Sequence, residues 1–129
     1  MNKDEYSELC TNLRHYHKMQ FAELTVFLGV TAALLKFVYA SDVPQNLILI
    51  FKIMGSIVSF LFFIVDTSNM HVWDKFIKRA SELEKSMNYK QYSSLLESPK
   101  FRIRPAKTAV SVFHLIVLAF WMMQIIIKV

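Results

Sequence analysis

The sequence predicts an all-α membrane protein, three transmembrane helices with cytoplasmic helical extensions, and three observations predict it. Hydrophobic residues make up 54% of the 129 positions against 19% charged, an excess that ordinary soluble domains do not carry. With only 2 Gly and 3 Pro in the chain, little interrupts a helix. Three apolar stretches of about 20 residues each match a hydrocarbon core of ~30 Å at ~1.5 Å per helical residue.

The chain reads as a single membrane domain, residues 1–129. Residues 1–20 form a cytoplasmic amphipathic helix, because Tyr6, Leu9, Cys10, Leu13, Tyr16 and Met19 recur at helical spacing. Asp4, Glu5 and Glu8 stand among its basic residues and no small-x-small site follows, so the segment is expected to be retained rather than cleaved as a signal. Span 1 covers 21–40, broken only by Glu23 and Lys36. Pro44, with Ser41 and Asp42, supplies turn chemistry in a short connection, which makes span 2, residues 46–65, an antiparallel neighbour.

Residues 66–104 are a cytoplasmic helical segment. Val72, Trp73, Phe76, Ile77, Ala80, Leu83 and Met87 share one face and charged residues take the other. No Gly or Pro lies between Gly55 and Pro99, so span 2 is expected to continue as one helix to Asn88, with DTSN at Asp66 to Asn69 as its weak point. Tyr89 to Arg104 reads as a short helix and a loop. Pro105 suits the first turn of span 3, residues 106–127, and Trp121 and Lys128 read as outer-interface anchors.

Lys3, Arg14 and Lys18 precede the first span, and Lys75, Lys78, Arg79, Lys85, Lys90, Lys100, Arg102 and Arg104 lie between the second and third. The hairpin loop has no basic residue and the C-terminus has Lys128 alone. The positive-inside rule then places the N-terminus in the cytoplasm and the C-terminus outside. The formal net charge of +5 is spent on such flanks, with no aromatic-interleaved basic patch, so the lipid bilayer and not nucleic acid is the expected partner.

Candidate functional residues lie on helix faces. Lys52, Ser56, Ser59, Phe63 and Asp66 follow one another at steps of four and three, a mostly polar stripe on span 2. Ionisable groups at membrane depth are costly and face a protein interior or wet cavity. Lys52, Ser56, Ser59, Asp66, Lys36 and His114 are therefore expected to line a lumen or an interface. Thr25, Gly29 and Ala33 on span 1, with Gly55 on span 2, are the expected small-residue packing positions. Trp73, Phe76, Ile77 and Leu83 are the expected interface of the cytoplasmic helix. His114 reads either as a satisfied buried histidine or as a proton sensor.

No catalytic, cofactor or metal site is expected: His15 and His17 point to different sides of a helix, and no nucleophile elbow, phosphate loop or zinc motif occurs. The chain is expected not to be an enzyme.

The hairpin, the helix WDKFIKRASELE at Trp73 to Glu84, the KQY at Lys90 to Tyr92 and a final span together resemble small bacterial inner-membrane proteins. Over Phe21 to Tyr92 the layout is similar to RipA-type octameric membrane proteins and, more distantly, to SLATT hairpin domains proposed as pore-forming effectors. The resemblance implies an oligomer in a bacterial inner membrane. The function expected from the sequence is a non-enzymatic, self-associating membrane protein acting as a pore or membrane effector. Two alternatives stand beside it: an accessory or immunity-type subunit that binds another membrane protein, and a small proton-coupled transporter.

Overall fold

The computed structural model describes residues 2–97 and 105–127. The described residues form helices α1 (Asn2–Val38), α2 (Gln45–Met87), α3 (Gln91–Glu97) and α4 (Pro105–Ile126). Three of them, α1, α2 and α4, are long and apolar enough to cross a membrane. The 98–104 part of the segment expected to form a loop, and Lys128, lie outside the described residues.

α2 is the central element. It runs unbroken through Asp66 to Asn69, where Thr67 donates its hydroxyl to the carbonyl of Phe63 instead of capping a new start. Pro44 stands before it with φ −58° and ψ 142°, and its carbonyl accepts the amides of Leu47 and Ile48 at 3.0 and 3.1 Å. Proline thus opens the helix at the one place where its missing N–H costs nothing.

α1 lies antiparallel to α2 along nearly its whole length without a slip in register. Tyr6 meets Glu84, Tyr16 meets Phe76, Phe27 meets Phe62 and Phe37 stacks on Phe51. On α2 the buried residues Lys52, Ser59, Asp66, Trp73 and Ala80 recur at every seventh position. A strict seven-residue interval keeps one face toward its partner only when two helices wind around each other left-handedly. The polar stripe and the apolar face downstream of it are therefore one continuous seam.

The downstream half of the seam is apolar. Leu13, Trp73 and Ile77 form one cluster, and Leu9, Ala80 and Leu83 another, with Phe76 and Tyr92 packed against both. This alters the reason for expecting a partner there: α1 and α3 of the same chain cover the face of Trp73, Phe76, Ile77 and Leu83. Ile77 is 1% exposed, so Ile77→Ala is expected to destabilise this half by about 2 to 5 kcal/mol. Lys78→Ala, on the exposed side, should change it by less than about 0.5 kcal/mol; thermal melts followed by circular dichroism would compare them.

α4 returns antiparallel to α2 on its other side. Ser111 meets Asp66, His114 stands beside Phe62, and the indole of Trp121 lies on Gly55, where a Cβ would overlap it. Trp121 is fully buried with Leu34 and Val38. The expected interfacial anchor is thus a core residue, because Gly55, the one glycine of α2, carries no Cβ to hold the indole off. Its ring N–H meets no acceptor among the described residues.

At the far end α2 stops at Asn88, which takes the left-handed conformation (φ 58°, ψ 32°) that Asn tolerates better than most residues. The amides of Asn88 and Tyr89 both turn back to the carbonyl of Glu84. That sharp reversal drops α3 onto the hairpin.

Candidate functional site

Two polar centres interrupt the seam. The larger lies where the apolar part of the bundle ends. From α1, Gln20 donates its side-chain N–H to Asp66 Oδ1 at 3.3 Å; from α4, Ser111 donates its hydroxyl to Asp66 Oδ2 at 2.7 Å. One turn along, Asn69 donates to Glu23 Oε2 at 3.1 Å, while Glu23 Oε1 is buried without a hydrogen-bond partner among the described residues. All three long helices thus converge on Asp66, which is 1% exposed.

His114 sits next to this layer in an aromatic slot. Its ring is 4.5 Å from that of Phe27 and 6.3 Å from those of Phe62 and Phe113. It is 1% exposed, and neither ring nitrogen meets a partner among the described residues. On the opposite side a cavity of about 20 Å³ is bordered by Tyr16, His17, Gln20, Asp66, Asn69 and Trp73, room for about one water molecule.

The second centre is Glu84, fully buried near the end of α2. Its carboxylate accepts the Tyr6 hydroxyl at 2.7 Å, the Tyr92 amide at 2.8 and 2.9 Å and the Ser93 amide at 2.8 Å. The last two are free N–H groups of the first turn of α3, so Glu84 caps that helix from another one. Burial pushes the carboxyl up, but the Ser93 and Tyr92 amides and the Tyr6 hydroxyl together hold it below the usual glutamate range. Burial, with the Cys10 thiol close by, pushes the Tyr92 hydroxyl up to about 12, and burial and Glu84 raise that of Tyr6. Both phenols remain protonated donors at neutral pH.

The expected lumen residues take different places. Lys52 and Ser59 are buried with Asp66 on the seam inside one chain, Ser56 is half-buried, and Lys36 is exposed. Ser56 and Ser59 donate their hydroxyls to the carbonyls of Lys52 and Gly55, at 3.2 and 2.8 Å, so both are satisfied by their own helix. Among the packing positions, Gly55 contacts Trp121, whereas Thr25, Gly29 and Ala33 are exposed. Thr25 bonds back to the carbonyl of Phe21 at 2.9 Å, and a Cβ at Gly29 would meet nothing within 4 Å. Beside that ridge, Leu24 and Leu28 of α1 face Ala109, Val110 and Phe113 of α4 across an open apolar groove.

Sequence reasoning did not single out Gln20, Asn69 or Glu84. Only Glu23 carried a signal, as a charge near the start of an apolar span. Compared with protein families, curated proteins and solved structures, the chain matches none of them.

Proposed function

We propose that this chain is a non-enzymatic membrane protein that acts by self-association, with the three-helix bundle as a rigid subunit and the hairpin beyond the apolar layer as its cytoplasmic arm. The observation that carries this reading is the uncovered ridge of Thr25, Gly29 and Ala33 beside the α1/α4 groove. Small side chains let helix backbones approach closely, and in lipid close packing replaces the hydrophobic drive. The polar stripe is used up inside each chain, so a pore or membrane-effector activity would arise at faces between subunits.

The mass of the protein extracted in native nanodiscs tests this. Wild type should be a homo-oligomer, and Gly29→Leu should shift it toward monomer without loss of helix content. A monomeric wild type that is silent in planar bilayers overturns the proposal and leaves the accessory-subunit reading, in which the ridge binds another membrane protein. Because Lys52 is 7% exposed on the seam, Lys52→Glu is expected to lower the yield of folded protein instead of altering ion selectivity. Orientation is read by an impermeant maleimide in a Cys10→Ser background: Gln45→Cys should label in intact cells and Asn88→Cys should not, and the reverse pattern inverts the topology.

A further inference from the structure

The polar layer holds more negative charge than its surroundings neutralise. Glu23 and Asp66 lie within reach of each other's field, and neither has a Lys or Arg partner among the described residues. Their neighbours are His17 and Gln20 on α1, Asn69 on α2, and Ser111 and His114 on α4. Glu23 Oε1 is buried with no hydrogen-bond partner among the described residues, which leaves it an open acceptor for a proton.

His114 is the second, independent observation. Buried polar side chains are nearly always hydrogen-bonded, yet both nitrogens of this 1% exposed ring are without partners among the described residues. A neutral imidazole in that state offers an open lone pair. The ring is wedged between Phe27 and Phe62, which stand one helical turn beyond Glu23 and Asp66. It also shares a face of α4 with Ser111, whose hydroxyl already donates to Asp66.

We propose that Glu23, Asp66 and His114 form a buried proton-binding site, with the carboxylate pair as its first station and His114 as its second, one turn deeper in the apolar bundle. The water-sized cavity beside Gln20, Asn69 and Asp66 is the entry. A proton from water forms an O–H bond at Glu23 Oε1, the buried carboxylate oxygen with no hydrogen-bond partner among the described residues, as its bond to the donor breaks. Loading the second station forms an N–H bond at an open His114 nitrogen as the donor's own bond breaks, which sets the imidazolium in the field of the Asp66 carboxylate. Each loaded state carries one negative charge fewer than the empty one, and no other reactant is needed. The site is independent of the association reading, since every group in it belongs to one chain.

Infrared difference spectra of the protein in nanodiscs, recorded on stepping the pH, test the first station. Wild type should show a protonated-carboxyl band that Asp66→Asn or Glu23→Gln diminishes, that Asp66→Glu retains, and that Asp42→Asn in the exposed loop leaves unchanged. Nitrogen-15 spectra of labelled histidine test the second: at fixed pH, Asp66→Asn should lower the imidazolium-to-imidazole ratio of the resonance lost in His114→Gln by about tenfold. Carboxylates ionised at every pH, or a ratio indifferent to Asp66→Asn, would overturn the site. Suppression of the carboxyl band by sodium but not by N-methylglucamine at constant pH would overturn the proton as its occupant and assign a metal cation.

Discussion

Glu84→Ala should release α3 from the hairpin and cost more stability than any other single change in the half of α2 beyond Asp66. The substitution strands the Tyr6 hydroxyl and the amides of Tyr92 and Ser93, all of which the carboxylate holds at 2.7 to 2.9 Å. Each buried donor left without an acceptor costs about 1 to 3 kcal/mol, so a loss of several kcal/mol is expected. Hydrogen exchange at the Tyr92 and Ser93 amides reads it directly: their protection should vanish in Glu84→Ala while that of the Asp66 layer persists. Unchanged protection would mean that the Tyr92 ring alone holds α3.

The same clasp sets a pH dependence. The Glu84 carboxyl is held below its ordinary value, so its contribution is fully present above the unfolded value, about 4.3. It is lost as pH falls from there through the lower folded value. Exchange protection of α3 should therefore be flat at neutral pH and fall only in acid. The surface pairs of Arg79 with Glu5 and Glu82, at 2.8 and 3.4 Å, are half exposed and should contribute little to that curve.

Gly55→Leu should have the largest effect in the apolar half. A Cβ at 55 already overlaps the six-membered ring of Trp121, with Cε3 at 2.9 Å, and the indole is fully buried between α1 and α2. A leucine forces Trp121 out of its site, so its cost combines overpacking of about 1 to 3 kcal/mol with loss of the indole's packing against Leu34 and Val38. Tryptophan quenching by brominated acyl chains separates the outcomes: Trp121, shielded in wild type, should become quenched in Gly55→Leu and stay shielded in Gly29→Leu. Shielding in both would show that α4 packs elsewhere.

The helices were legible in the sequence because hydrophobicity and the absence of breakers act locally, and α2 passes through Asp66 to Asn69 as its unbroken pattern implies. The face formed by Lys52, Ser59 and Asp66 was also legible from the steps of four and three. Its destination was not. Whether a polar stripe faces a lumen or the chain's own helices depends on the register of α1 and α4, and Gln20 and Ser111 mean nothing until they meet Asp66. Trp121 carried a misleading signal, since a tryptophan near the end of a span satisfies the interfacial pattern until a glycine on another helix offers it a flat bed. Glu84 was hidden for a different reason: two of its partners are backbone amides, which no residue type announces.

The unbroken α2 turns the bundle into a lever. Its 43 residues extend about 64 Å at ~1.5 Å per residue, roughly twice the ~30 Å thickness of a hydrocarbon layer. With α1 wound along it and no hinge between the halves, any change in tilt within the apolar layer is carried whole to the tip. On the proposed membrane reading, a tilt change of ~20°, within the range of transmembrane helix tilts, swings the clasped end by roughly 10 Å. Under that proposal the thickness of the surrounding lipid becomes a mechanical input to the position of α3.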